Sequence, residues 1–182
     1  MHGVVFTSFR DYVSDTFGAE TAAAVMNGEP VYLLSESYPD DRLLGLVART
    51  AEQTGNDPDQ IVHDFGVFTG EKTFTRLYPA FFAISPSARQ FMLTVETRIH
   101  ELVRATLPKA GPPELEVSEL GEDGISIVYT SPRQLCVLLR GLTEGTARHY
   151  GEQTQIEETT CMLRGDPACT FQVRFSPAAQ LA

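Results

Sequence analysis

The sequence predicts an α+β fold, with an N-terminal mostly helical part over 1–107 and a sheet-containing part over 108–182 in which two antiparallel hairpins flank a helix. Two observations carry this. Apolar residues recur at three- and four-residue spacings through the first half, whereas the second half has β-branched or alternating runs paired around the turn signals "GEDG" and "RGDP". A third, the stiff proline-rich stretch "PKAGPPEL", marks where the pattern changes. At 182 residues and 42% hydrophobic the chain can bury a sizeable core, and one domain over 1–182 is expected.

The elements follow in order. Val5, Phe6, Phe9, Val13 and Phe17 share a helical face that stops at Gly18. A second helix opens at an aspartate cap in "DDRLLGLVARTAEQ". A third, "PDQIVHDFGVF", starts with Asp57 as cap and Pro58 in the first turn. Ser85 and Pro86 repeat that device before the longest helix, over 88–107, which Pro108 closes. Then "ELEVSEL" and "ISIVYTS" pair about "GEDG". "PRQLCVLLRGLTEGTARHYG" is an amphipathic helix ending at Gly151, and "QIEETTCML" pairs with "ACTFQVRF" about "RGDP".

Composition excludes several functions. Lys and Arg total 14 against 24 Asp and Glu, and no basic stripe is visible, so a nucleic-acid partner is not expected. No stretch approaches the roughly 20 apolar residues of a membrane span. The N-terminus has charges inside its apolar run and no small-residue cleavage site, which is unlike a signal peptide. A cytoplasmic protein is expected. Three cysteines cannot all pair within one chain, which leaves burial or metal binding. No P-loop, G-x-S-x-G or H-E-x-x-H motif occurs, and the acidic residues form no acid/base pair.

"YTSPR" stands out between strand and helix. Side chains two apart on a strand share a face, so Tyr129, Ser131 and Arg133 line up three hydrogen-bond donors. If Ser131 caps the next helix with Pro132 at its first position, Arg133 lies in the first turn, the wrong end of the dipole for a cation. Either a surface carboxylate answers it, or helix terminus, hydroxyls and guanidinium together hold an anion. His100 sits mid-helix among Val95, Ile99, Leu102 and Val103. It is either a satisfied core histidine or the neutral imidazole that a haem iron needs in an apolar pocket. His2 is expected to be terminal and solvated, and His63 partly buried, neither with a metal-spaced partner.

Taken together, "MHGVVF", "RIHELVRATLPKAGPPEL", "YTSPR" and "CMLRGDPACTFQVRF" resemble the H-NOX family, the haem nitric oxide/oxygen-binding domain that is also the sensor module of soluble guanylate cyclase. The resemblance covers essentially the whole chain. It implies haem b between the helical and sheet-containing parts, with His100 as proximal ligand to the iron. Tyr129, Ser131 and Arg133 would hold the two propionates, and Pro113 would press on the porphyrin. Where oxygen-binding members carry a distal tyrosine this chain has Leu138. Val5, Phe9 and Phe74 match the other pocket positions and offer no donor, so selection of nitric oxide over dioxygen is implied, with carbon monoxide a second candidate ligand. Tyr12 is a candidate intruder.

Some family members carry zinc at three cysteines matching Cys136, Cys161 and Cys169, plus a histidine where this chain has Glu158. The hairpin about "RGDP" would set Cys161 nearly opposite Cys169. A carboxylate oxygen can ligate zinc, and His149 and Glu157 are the substitutes. The implied role is a bacterial, non-enzymatic gas sensor that signals to a separate histidine kinase or cyclic-di-GMP enzyme. The alternatives are a thiol/zinc redox sensor through Cys136, Cys161 and Cys169, and a haem enzyme of peroxide or oxygen chemistry. The lack of an evident distal acid or base argues against the enzyme.

Overall fold

The structure, a computed structural model, describes residues 1–106 and 111–178. Four helices build a first core: α1 (Gly3–Phe17), α2 (Ala19–Val25), α3 (Asp41–Thr54) and α4 (Pro58–Phe68). Their buried faces bring Phe6, Phe9, Val13, Leu46, Ile61 and Phe65 together, and Phe9 meets Phe65 edge-on at 5.1 Å between ring centroids. Asp57 caps α4 as expected, accepting from the backbone N–H groups of Asp59 and Gln60. Asp40 precedes α3 but makes no capping bond. Its carboxylate is used elsewhere.

A π-helical turn, Thr69–Thr73, extends α4 into α5 (Phe74–Leu77), and α6 (Pro79–Ala83) follows a break at Tyr78. The long helix expected over 88–107 begins at Ala88, capped by Ser87 rather than by the expected Ser85 and Pro86 pair. It is segmented: α7 (Ala88–Thr94), a π-helical stretch (Val95–His100) and α8 (Glu101–Thr106). The expected stop at Pro108, and with it the 107/108 boundary, lies outside the described residues.

The second core packs a four-stranded antiparallel sheet against α6, α7 and α9. Its strands are β1 (Glu114–Leu120), β2 (Gly124–Thr130), β3 (Glu152–Thr160) and β4 (Cys169–Pro177), in the order β1-β2-β4-β3, with α9 (Cys136–His149) between the hairpins. Alternating burial along β4 explains the sheet's sidedness: Cys169, Phe171, Val173 and Phe175 face inward while Gln172 and Arg174 face out.

The tightest crossing joins α4 to α9. A Cβ on Gly145 would lie 2.1 Å from the carbonyl oxygen of Val67, and one on Gly141 2.1 Å from that of His63. Gly66 and Gly70 are pressed in return on the carbonyls of Leu138 and Leu142. Backbone meets backbone there, which no larger residue permits.

Candidate functional site

A cavity of about 250 Å³ opens between the two cores. Val95, Ile99, His100 and Val103 form one wall, and Val4, Val5, Phe74, Leu138 and Leu142 contribute another. Gly111, Pro112 and Pro113 close one side, and Tyr129, Ser131 and Arg133 stand at the rim. Sequence-selected His100, Pro113, Tyr129, Ser131, Arg133, Val5, Phe74 and Leu138 thus share one space. Phe9 does not reach it. It is wholly buried in the first core, because its position on α1 points to Phe65 instead. Tyr12 is buried in that same core and does not line the cavity.

The histidine is held from behind. His100 Nδ1 lies 2.8 Å from Glu96 Oε2, one turn back across the π-helical stretch. A carboxylate can only accept, so the proton belongs on Nδ1 and the Nε2 lone pair is left available on the cavity wall. Burial pulls the imidazole pKa below its ordinary value, only partly countered by Glu96, which favours the neutral, ligand-competent form. Burial alone would raise the Glu96 carboxyl, but Arg104 and His100 hold it below its usual range. Glu96 also accepts the Leu115 backbone N–H at 3.2 Å, tying this segment to the start of β1. Sequence reasoning missed Glu96, although its i−4 spacing from His100 was a legible signal.

The rim corrects an expectation. α9 begins at Cys136, not at Pro132, and Ser131 is not its cap. Gln134 adopts φ 51° and its N–H donates to the Ser131 carbonyl at 3.1 Å, closing a turn before any helix can start. Arg133 therefore lies outside the helix, and the dipole argument does not apply to it. Its backbone N–H donates to Ser131 Oγ at 3.2 Å. Its Nε donates to Asp40 Oδ2 at 2.8 Å and its Nη1 to the Gly111 carbonyl. Burial would raise the Asp40 carboxyl, but the Met1 amine and Arg133 hold it below its ordinary value. The Tyr129 hydroxyl accepts the Leu135 N–H at 3.0 Å, and burial raises its pKa, so its own proton stays available to donate.

Two further groups on the wall were not anticipated. His2, expected to be solvated, lines the cavity. Tyr78 lines it too, its ring 5.9 Å from Phe74 between centroids, its hydroxyl pKa raised by burial. His63 is partly buried as expected, held at 3.1 Å by both Asp64 and Glu144.

The residues present fit a flat, largely apolar cofactor with an iron on one face and carboxylates at one edge: an available imidazole nitrogen, greasy walls and a donor-rich rim. A second cluster lies behind the rim. The ligand atoms of Cys136, Glu158, Cys161 and Cys169 all fall within 4.8 Å of one another. The Cys136 and Cys161 sulfurs are 3.9 Å apart, too far for a disulfide and close to the about 3.8 Å between two thiolates each 2.3 Å from a tetrahedral zinc. Glu158 Oε2 is held by Arg164 at 3.0 Å. As expected, Cys161 comes to lie beside Cys169, their sulfurs within 4.8 Å of each other. An irregularity between Glu158 and Thr160 shifts the register so that Thr160 pairs with Thr170, and Cys161, the first residue beyond β3, continues toward Cys169 while its N–H donates to Asp166. Burial pushes the Cys136 thiol up to about 12 and raises Cys169 as well. His149 and Glu157 are exposed and outside the group.

With this geometry in hand, comparisons place the chain among known proteins. The family model described as Haem-NO-binding matches residues 2–158. Soluble guanylate cyclases 89Db and 89Da of Drosophila melanogaster are 25% and 24% identical over 162 residues, covering 83% of this chain and 24% of each relative. The chain therefore spans about a quarter of the curated relatives it matches. Among solved structures, an H-NOX protein from S. oneidensis in the Fe(II)NO state aligns with a TM-score of 0.87 at 23% identity, covering 97% of this chain and 99% of that one. The Fe(II) unliganded H-NOX protein from K. algicida aligns at 0.83 with 22% identity over the full length of both. These structures share the mixed fold of helices and a four-stranded antiparallel sheet.

Proposed function

Because this chain belongs to the Haem-NO-binding family, whose domains are gas sensors and not catalysts in their own right, we propose that it holds haem b on His100 and reports nitric oxide to a separate protein. The observation that carries this is His100 on the cavity wall with Nδ1 fixed by Glu96, facing a space whose rim bears Tyr129, Ser131 and Arg133. The haem would supply an iron that takes a diatomic gas.

The chain's own residues do the rest. Glu96 keeps the proton on Nδ1 and the ring in one orientation. Tyr129 and Ser131 donate hydroxyl protons to carboxylates at the rim, while Arg133 supplies charge. Val5, Phe74 and Leu138 exclude water and give no hydrogen bond, which favours nitric oxide over dioxygen, with carbon monoxide the other candidate. Pro113, which lines the cavity, would pack against the bound cofactor. The haem would supply the bond that holds His100 in place, and a ligand that favoured a state without that bond would leave the His100 ring, at the end of the π-helical stretch, held by its hydrogen bond to Glu96, since a ligand shifts a conformation only by its difference in affinity between two states. The recipient is a histidine kinase or a cyclic-di-GMP enzyme by analogy, and a bacterial cytoplasm suits that role. Among the described residues no helix is long and apolar enough to cross a membrane.

The test is the visible spectrum of the ferrous protein under argon, air and nitric oxide. The expected result is a five-coordinate spectrum unchanged by air and, with nitric oxide, one without the histidine bond. Colourless protein after haem supply, or colour indifferent to His100→Gly, overturns the haem reading. A stable oxygen spectrum that Tyr78→Phe abolishes overturns the selectivity alone.

The cysteine cluster supports a companion reading as a zinc site closed by Glu158. Thiolates bound to the metal would be spared the protonation that burial otherwise favours. One zinc per chain under reducing conditions, lost in Cys161→Ser, is the expected result, and no zinc in the wild type removes the site. The family match favours haem sensing over a thiol/zinc redox sensor as the chain's function.

A further inference from the structure

We infer that His2 is a further donor to the carboxylate rim of the bound cofactor, an assignment that rests on the haem reading. Its backbone is unusually constrained for a residue so near the N-terminus. His2 pairs with Ser37 in an isolated antiparallel bridge, the Gly3 N–H donates to the Glu36 carbonyl at 2.8 Å and the Tyr38 N–H to the Met1 carbonyl at 2.8 Å. A Cβ on Gly3 would sit 1.9 Å from the Leu33 carbonyl oxygen, so the chain is pinned against the following loop. The ring lines the cavity, and Nε2 is buried without a hydrogen-bond partner in the protein. Buried polar nitrogens are seldom left unpaired, and this one borders a space meant for a ligand.

Its place in the cavity indicates which part of the ligand it meets. Met1 and Arg133 both line the main cavity and both line a smaller one beside Asp40, Leu43 and Leu135. Residue 2 therefore enters at the Arg133 end, where carboxylates would lie. Burial lowers the imidazole pKa, so the ring is neutral, with one nitrogen a donor and the other an acceptor. Two propionates present four oxygens, and Arg133 is already shared with Asp40 and Gly111. The rim thus has acceptors to spare for one more N–H.

The experiment compares haem loss from ferric wild type, His2→Phe, His2→Ala and His2→Gln to excess apomyoglobin, with the ferrous spectrum and unfolding midpoint of each. Phe and Ala variants are expected to lose haem roughly tenfold faster, the scale of one hydrogen bond to a charged group. Gln, which keeps an N–H near the same place, is expected to stay closer to wild type, and His100 ligation is expected to be unchanged throughout. Rates within twofold of wild type in both Phe and Ala variants overturn the assignment. So does an altered axial spectrum in His2→Phe, which would put His2 on the iron. A wild type that takes up no haem fails at the earlier step, the cofactor reading itself, and is distinguished by its lack of colour.

Discussion

The α4/α9 crossing and the segment that carries His100 are built on opposite principles. At the crossing, Gly66 and Gly70 interlock with Gly141 and Gly145 and backbone touches backbone. α9 adds buried Thr143, Thr146 and Ala147. The histidine segment, Val95–His100 followed by Glu101–Thr106, has no fully buried residue, and its first half is π-helical. Val95 and Ile99 pack against the second core only partly buried, and the directional ties are polar: Glu96 bonds His100, Arg104 and the Leu115 N–H. Close packing has one arrangement and resists displacement, whereas a few hydrogen bonds on a helix of unusual winding can be exchanged at small cost. The difference teaches where a signal can start. The crossing is a frame, and the histidine segment is the part that can move against it.

The comparison breaks first at the crossing. Gly145→Ala or Gly141→Ala forces a methyl into a backbone carbonyl, and a loss of about 3 kcal/mol in urea unfolding is expected, with faster amide exchange throughout both cores. A change under 0.5 kcal/mol would remove the frame from the argument.

Next is Glu96→Ala, which strips three partners at once. It should cost about 1–3 kcal/mol and concentrate its effect on amide exchange of 95–106, leaving α9 protected. Glu96→Gln, still an acceptor for His100, is expected to do less. Equal loss of protection in α9 would show that the two regions are not separable.

Acid sharpens the contrast without mutation. The folded pKa values of Glu96 and His100 both lie below their ordinary values of 4.5 and 6.5. A depressed folded pKa contributes stability that is complete above the ordinary value and fades as pH falls toward the folded one. The His100 contribution therefore begins to fade below about pH 6.5 and that of Glu96 below about pH 4.5. In the haem-free protein, where His100 is free to titrate, protection factors of 95–106 should fall between pH 7.5 and pH 5 while those of α9 hold, and the reverse order would overturn the polar account. The smallest effect belongs to Leu102→Ser on the exposed face of α8, where Leu102 is 48% accessible and a change within about 0.5 kcal/mol is expected.

Much of this was legible beforehand. The order of helices and hairpins follows from spacing and turn residues, and Asp57 capped its helix as read. His100 and the Tyr129, Ser131 and Arg133 triplet, together with Pro113, Val5, Phe74 and Leu138, were found in one cavity because the family's motif spacings single them out. Four short elements, α2, the Thr69–Thr73 turn, α5 and α6, were missed because each is too short to show a period. Glu96 was overlooked although its spacing was readable. Phe9 and Val5 share a helix, yet only Val5 reaches the cavity, since which side of α1 faces which neighbour depends on the path of α3 and α4.

The chain's own text determined the kinds of element, their order, and the residue types able to bind iron, carboxylate and thiophilic metal, because these depend on local backbone preference and side-chain chemistry. Tertiary structure alone decided that Asp40 answers Arg133 from 93 residues away, that His2 lies in the cavity wall and that Cys161 slips past the end of its strand. Such facts arise from how separate segments meet in space, and no interval along the chain encodes them.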